Sequence, residues 1–169
     1  MRKKIIITGG LGYIGTELCK LYSGVSWHHN IAIIDNRFIS ERVSQLRKWN
    51  MEFVHGDILD KDLLYKYCHD ADIVHHLAGI TKVPRTKSES NIVQDQKIKS
   101  VSEQGTQNIL DVINDNCKII FPSTHVVYEG IKDVRTDITE DEDTKPVLSY
   151  SSSKAINEKQ LKDSGKNYI

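Results

Sequence analysis

The amino-acid sequence predicts an α/β protein, with a doubly wound parallel sheet of the Rossmann type. Short apolar stretches alternate with helical patterns five times along the 169 residues, and such alternation is typical of a parallel sheet covered by helices on both faces. The first apolar stretch runs into a group of spaced glycines, and the second ends in an acidic residue. We therefore expect one domain, residues 1–169, organised around a nucleotide-binding turn.

The glycine-rich turn follows the strand predicted at residues 5–8. Gly9, Gly12 and Gly15 fit the spacing G-x-x-G-x-x-G, and Gly10 adds the alternative spacing G-x-G-x-x-G. Such a turn needs backbone conformations that glycine adopts at low cost, and it lets a diphosphate approach bare backbone. The helix that begins after the turn would offer free N–H groups to the phosphate. The alternative is a glycine-rich turn that binds nothing.

The second predicted strand, residues 31–35, favours the nucleotide interpretation. It ends in Asp35, which follows Gly15 by 20 residues. A carboxylate at about that distance is the expected partner of the adenosine ribose hydroxyls.

A third strand is predicted at residues 51–57. If it neighbours the first strand, Asp57 and Ile58 would lie close to the adenine of a bound dinucleotide. The alternative is that they precede a helix whose amino end is capped by Asp60.

A fourth strand is predicted at residues 72–79, and its small residues at the carboxyl end would leave room for a ligand. His75 and His76 are adjacent, so in a strand their side chains point to opposite faces and cannot form one metal site. We expect no metal site in this chain.

The second half is predicted to be less regular than the first. Its expected elements are a loop at 81–90 beside the ligand, a helix at 91–116, a strand at 118–121, an acidic irregular segment at 129–149 and a helix from Tyr150 to about Leu161. The apolar stripe of helix 91–116 could pack on the sheet, on a partner subunit, or on both.

The candidate catalytic residues lie in this half. Tyr150 and Lys154 are four residues apart on a predicted helix and therefore share one face. A phenol has a pKa of about 10, which a nearby ammonium and a cationic nicotinamide ring would lower. Ser123 or Thr124, after the fifth strand, could hydrogen-bond the same substrate oxygen. This set fits a hydride transfer in which the tyrosine handles the hydroxyl proton; the alternative is a surface tyrosine without a role.

Composition limits the partners. Lys and Arg number 23, as do Asp and Glu, so no overall field favours nucleic acid or an anionic membrane, and the apolar runs are too short to span a bilayer. Three scattered cysteines without a C-x-x-C pair predict reduced thiols and a cytoplasmic location.

The chain resembles the extended short-chain dehydrogenase/reductase family, in its nucleotide-sugar epimerase and dehydratase branch. The matching segments, in family order, begin with residues 8–15, 35–36, 57–58 and 76–79. They continue with Gly105-Thr106 and Asn108, Ser123-Thr124 and Val127-Tyr128, Glu140-Asp141 and Pro146, and Tyr150 with Lys154 and Glu158. The resemblance implies NAD rather than NADP, because Asp35 would repel a 2′-phosphate. It also implies Tyr150 as the acid/base, Lys154 bound to the ribose, and Thr124 as the hydroxyl partner with Ser123 close by.

Further expectations come from the same resemblance. The implied cofactor-binding residues are Gly9, Gly12, Tyr13, Ile14, Gly15, Asp35, Asn36, Asp57, Ile58, Leu77, Ala78, Gly79, Thr81, Tyr150 and Lys154. A nucleotide sugar is the implied substrate, and a homodimer through helices 91–116 and 150–162 is the implied assembly.

The sequence departs from the family pattern at several positions. Ser102 replaces the usual Asn, Glu129 replaces the usual Gly, and His125-Val126 stands where 4,6-dehydratases carry Asp-Glu. The last departure favours an epimerase over a dehydratase, with a simple reductase as a further alternative and a non-catalytic dinucleotide-binding module as one from another class. Family members are also about twice as long, so we expect the carboxyl-terminal substrate lobe to be missing and the chain to end where strand six would begin.

Overall fold

The computed structural model describes residues 1–80 and 86–169 and confirms the predicted fold class. Within those ranges the strands are β1 Lys4–Thr8, β2 Asn30–Asp35, β3 Glu52–His55, β4 Ile73–His76, β5 Lys118–Ile120 and β6 Asn167–Tyr168. The α-helices are α1 Tyr13–Tyr22, α2 Ser40–Lys48, α3 Lys61–Cys68, α4 Ile92–Val112 and α5 Ser149–Asp163, and short 3₁₀ helices cover Ser26–His28, Lys87–Glu89 and His125–Tyr128. All strand pairs are parallel, in the order β3-β2-β1-β4-β5-β6.

The central part of the sheet is buried on both faces, which explains why β1 and β2 are largely apolar rather than alternating. Ile6 of β1 packs in a core cluster that includes Leu64 of α3 and Ile109 of α4. Its neighbours Ile5 and Ile7 belong to a second cluster on the other face, with residues of α1 and α2. The two clusters follow from the two-residue period of the strand.

The strand order places a topological switch between β1 and β4. The chain moves outward from β1 through β2 to β3 and then returns to the other side of β1 with β4. Ligands of open α/β sheets bind in the crevice at the carboxyl ends of the two strands that flank such a switch. The residues after β1 and after β4 therefore define where a site is expected.

Element bounds differ from the sequence expectation mainly at two places. Helix α4 ends at Val112 instead of residue 116, because Ile113 has an extended backbone with ψ 149°. The amide of Asn114 then donates to the carbonyl oxygens of His69 and Ala71, at 3.0 and 3.2 Å, and ties the turn to α3. The sixth strand begins inside the chain, where Asn167 and Tyr168 pair with β5.

Two further expectations concern the polar and thiol side chains. His75 and His76 do point to opposite faces, since His75 is hydrogen-bonded to Tyr22 of α1 and His76 to Thr106 of α4. The three cysteines are free and buried, as packing residues should be. No helix in the described part of the chain is long and apolar enough to cross a membrane.

Candidate functional site

The turn after β1 is held in its conformation by close packing. Gly9 has φ +68°, a region that favours glycine, and a Cβ there would lie 2.7 Å from Cα of Ala78. A Cβ at Gly15 would lie 2.5 Å from Cα of Gly10. These positions are glycine because neighbouring backbone occupies the space of a side chain.

Gly12 is less crowded than those two glycines. A Cβ there would meet the carbonyl oxygen of Gly9 at 3.0 Å and Nη2 of Arg37 at 3.7 Å, with no other described heavy atom among its nearest contacts within 4 Å. Gly12 is also the N-cap of α1, and no described side chain caps the free N–H groups of that helix end. Tyr13 and Ile14 of its first turn are 85% and 59% exposed. Bare backbone and free donors at a helix end fit a diphosphate.

Asp35, at the end of β2, is buried and fully hydrogen-bonded. Its Oδ2 accepts from the backbone N–H of Leu11 at 2.9 Å, which ties β2 to the glycine-rich turn. Its remaining bonds come from Arg37, through the backbone N–H at 3.0 Å, Nε at 3.1 Å and Nη2 at 3.2 Å. Arg42 donates to the carbonyl oxygen of Leu11 from the other side. The sequence argument did not foresee either arginine: Arg37 lies between β2 and α2, and Arg42 lies in the first turn of α2.

The structure corrects the premise for Asp57 and Ile58, because β3 neighbours β2 and not β1. Asp57 is nevertheless connected to this edge, since the amide of Asn36 donates to its Oδ2 at 2.9 Å. The side chain of Ile58 is 4% exposed and packs in the core. Asp60 caps α3 as the alternative interpretation expected, accepting from the N–H of Leu63 at 3.0 Å.

A buried imidazole supports the end of β4. His76 lies between two hydroxyls, with Nδ1 2.9 Å from Oγ1 of Thr8 and Nε2 3.0 Å from Oγ1 of Thr106. The same Thr8 oxygen accepts from the N–H of Ala78 at 3.2 Å. Burial, with a smaller contribution from the Lys154 charge, lowers the pKa of His76 to about 3, so this ring is neutral. The His76 ring thus joins β1, β4 and α4 next to residues 77–79, which are predicted to bind the cofactor. Thr81, also predicted to bind it, lies outside the described residues.

Lys154 is buried beside the end of β5. Its Nζ donates to the carbonyl oxygen of Pro122 at 2.8 Å and lies 4.1 Å from the ring centroid of Phe121. Burial lowers the pKa of Lys154 to about 8, while the nearby Glu158 carboxylate acts in the opposite direction. An ammonium with a pKa near neutrality can hold a proton or release it at modest free-energy cost.

Tyr150 lines the same small cavity as Lys154, Ala78 and Gly79, with a volume of about 40 Å³. Its hydroxyl makes no hydrogen bond to any residue that the structure describes, and burial raises its pKa. The expected lowering of that pKa by Lys154 is therefore not found in the chain alone.

The hydroxyl candidates after β5 have different partners. Thr124 is the N-cap of the 3₁₀ helix His125–Tyr128, and its Oγ1 accepts from the N–H of Val126 at 3.4 Å. Ser123 is exposed and donates to Glu158 of α5. Both lie at the carboxyl edge of the sheet, but neither is hydrogen-bonded to Tyr150 among the described residues.

Glu129, the residue in place of the family glycine, holds the amino end of α5. Its Oε1 accepts from the N–H groups of Val147 and Leu148, each at 2.8 Å, and from the hydroxyl of Ser151. It thus joins the segment after Thr124 to the helix that carries Tyr150. Only its departure from the family pattern signalled this position in the sequence.

Ser102, the other departure, also has a structural partner. Its hydroxyl donates to Oδ1 of Asn157 at 2.6 Å, and the Asn157 amide donates back to the Ser102 carbonyl oxygen at 3.1 Å. The pair connects α4 to α5 in the wall of the small cavity. Sequence reasoning missed Asn157, because an asparagine on an expected helix carries no signal by itself.

A larger cavity, of about 660 Å³, lies at the opposite edge of the sheet. Its lining includes Arg2, Arg47, Glu52 and Asp70, which are side chains of both signs. None of the predicted site residues lies there, and the amino ends of parallel strands are not where such sheets bind ligands. We therefore place the candidate site at the smaller crevice.

The chain is similar to known proteins in both sequence and fold. The model of the 3-beta hydroxysteroid dehydrogenase/isomerase family matches residues 6–169. The CDP-paratose 2-epimerase of Salmonella typhi is 34% identical over 149 residues, covering 81% of this chain and 41% of its own. A UDP-N-acetyl-alpha-D-glucosaminuronate decarboxylase of Bacillus cytotoxicus is 32% identical over 130 residues, covering 76% and 38%. The UDP-glucose 4-epimerase of Brucella ovis, solved in complex with NAD, superposes with TM-score 0.77 at 29% identity, covering 97% and 49%.

The chain thus belongs to the 3-beta hydroxysteroid dehydrogenase/isomerase family, within the extended short-chain dehydrogenases/reductases and among its nucleotide-sugar epimerases and dehydratases. Its relatives are enzymes, and they differ in the reaction for which they are named. The chain spans about two fifths to half of the length of the relatives that it matches.

Proposed function

We propose that residues 1–169 form the cofactor-binding domain of an NAD-dependent nucleotide-sugar epimerase, with 4-epimerisation as the favoured reaction. The observation that carries the proposal is the uncapped amino end of α1, which begins at Gly12, a residue without a side chain, at the switch point between β1 and β4. This arrangement fits a dinucleotide diphosphate. The Brucella 4-epimerase of the same fold was solved with NAD.

The proposed chemistry assigns each catalytic residue one task. Bound NAD would supply reversible hydride acceptance, so that an epimerase needs no net oxidant. Tyr150 would take the proton of a sugar hydroxyl and later return it, as a general base and then a general acid. Lys154 would hold its ammonium near the ribose and the phenol. Thr124 would orient the sugar oxygen.

The choice among family reactions rests on the segment after Thr124. His125 and Val126 occupy the start of a 3₁₀ helix, and neither supplies the carboxylate that an acid–base elimination of water needs. This favours an epimerase over a dehydratase. A simple reductase would differ by releasing its cofactor in each cycle, and a non-catalytic module would bind NAD without turning over any sugar.

The decisive experiment, carried out on a full-length version that includes a substrate lobe, is the substitution Tyr150→Phe. Tyr65→Phe is the matched control because Tyr65 is an exposed tyrosine of α3. Loss of the proton carrier should lower turnover of nucleotide sugars by roughly 10²–10⁴-fold, whereas the affinity for NAD measured by calorimetry should not change. Full turnover in Tyr150→Phe would refute the catalytic assignment. Binding of NAD without turnover in the unsubstituted protein would favour the non-catalytic module.

A homodimer through α4 and α5 is a second part of the proposal. The apolar side chains of Ile92, Val93 and Ile156 on these helices are exposed, which supports a partner surface there. The double substitution Val93→Lys with Ile156→Lys should convert a dimer to a monomer in sedimentation equilibrium. A dimer that persists would place the interface elsewhere.

The cytoplasmic location predicted from the unpaired cysteines is also part of the proposal.

A further inference from the structure

The carboxylate that should recognise the ribose has no free acceptor position. Asp35 accepts four hydrogen bonds, one from Leu11 and three from Arg37, and a carboxylate offers about four lone-pair positions. Both of its oxygens are in use, and its side chain is 3% exposed. A ribose hydroxyl can bond to Asp35 only if the guanidinium of Arg37 moves away.

Arg37, in contrast, has donors to spare. Of the five N–H bonds of its guanidinium, two donate to Asp35 and the others meet no described acceptor. The side chain is 53% exposed. Because its Nε and Nη2 donate to Asp35, the expected ribose partner, its free N–H groups lie at the ribose end of the proposed site. Nη2 is also 3.7 Å from the position of a Cβ on Gly12. A planar guanidinium with free N–H groups is a strong partner for a phosphate.

The charge of Asp35 is also offset at this corner. Arg37 forms a close ion pair with it, and Arg42 brings a second positive charge to the carbonyl oxygen of Leu11. The other acid at this edge, Asp57, is bonded to Asn36. The repulsion of a 2′-phosphate that Asp35 alone would exert is therefore opposed by two arginines.

We propose that Arg37 determines how the adenosine end is recognised, and that the site accepts the 2′-phosphate of NADP as well as the free hydroxyl of NAD. This inference rests on the proposed function, because it requires a dinucleotide in the crevice. It reverses the expectation from the sequence that Asp35 excludes NADP.

The test is a fluorescence titration with NADH and NADPH, which needs no turnover. The unsubstituted protein should bind the two within about tenfold of each other. Arg37→Leu should weaken NADPH by roughly 10–100-fold, the value of hydrogen bonds to a charged group, while the affinity for NADH should stay the same or rise because Asp35 becomes free for the ribose hydroxyl. Arg37→Lys should recover part of the NADPH affinity. Arg47→Leu removes the same charge at the opposite edge of the sheet and should leave both affinities unchanged.

A second measurement avoids any folding defect of the variants. In the unsubstituted protein, adenosine 2′,5′-bisphosphate should displace NADH at lower concentration than 5′-AMP does, and added salt should reduce that advantage. Two results would overturn the role of Arg37 without touching the proposed function. One is a preference for NADH over NADPH of more than about 100-fold, and the other is a ratio of the two affinities that Arg37→Leu does not change. Failure to bind either dinucleotide would overturn the proposed function, and the inference with it.

Discussion

The substitution Gly9→Ala tests the turn on which the site depends. A side chain at φ +68° costs about 1–2 kcal/mol. The new Cβ would also lie 2.7 Å from both Cα and N of Ala78, and relieving such an overlap typically costs about 1–3 kcal/mol. We expect the free energy of unfolding to fall by about 2–5 kcal/mol, a large share of the stability of an ordinary domain.

Urea denaturation followed by circular dichroism measures this loss. Gly24→Ala is the matched control, because no heavy atom lies within 4 Å of its Cβ position, and it should change the stability by less than about 1 kcal/mol. Gly12→Ala separates folding from binding, since its Cβ would point at the ligand and should abolish binding of NAD with a smaller loss of stability. If Gly9→Ala unfolds within about 0.5 kcal/mol of the unsubstituted protein, the reasoning about the turn is wrong.

Two further predictions concern charged and titrating groups. Glu129→Ala removes the acceptor of the Val147 and Leu148 N–H groups, and the lost cap should lower the stability by about 1 kcal/mol at pH 7. Burial raises the pKa of Glu129, but the bonds from Ser151, Leu148 and Val147 lower it overall, so the stabilisation is present above the unfolded pKa and is lost as the pH falls. The pKa of His76 is about 3 in the folded protein and 6.5 in the unfolded chain. The free energy of unfolding should therefore fall as the pH drops below 6.5, by about 2 kcal/mol at pH 5. His76→Asn should remove this pH dependence in urea titrations.

Each of these predictions has its own control. Glu17→Ala removes an exposed acid of α1 that makes no hydrogen bond to a described residue and should not affect stability. A loss in Glu129→Ala that persists unchanged at pH 3 would contradict the role of its carboxylate. An equally steep decline below pH 6.5 in His76→Asn would assign the titration to another group, and His75, whose pKa burial also lowers, would be tested next.

Much of the fold was predictable because its signals are local. The apolar runs at β1 and β2 and the glycines between them depend only on backbone geometry and burial, which the sequence shows directly. The end of α4 was not predictable, because the Asn114 amide donates to the carbonyl oxygens of His69 and Ala71, just after α3. That contact joins segments more than forty residues apart, so no local pattern could reveal it.

The candidate site, like the fold, has residues that the sequence predicts and contacts that it does not. The glycine-rich turn, the acid after β2 and the Tyr150–Lys154 pair could be identified from residue types at fixed spacing. Their partners could not: Asp35 is occupied by Arg37, Lys154 by Pro122, and the start of α5 by Glu129. Hydrogen-bonding partners depend on which side chains meet in space, and that is set by the packing of distant elements.

The sequence by itself determined the fold class, the family and the edge of the sheet where a ligand is expected. The reason is that a strand, a glycine-rich turn and a helix follow one another in consecutive residues. Only the tertiary structure decided the charge state and the free donors of that edge. Burial lowers the pKa of Lys154 and His76 and raises that of Tyr150, and Arg37 takes the acceptor sites of Asp35. Desolvation and hydrogen-bond saturation depend on the surroundings of each group in three dimensions, and these do not exist until the chain has folded.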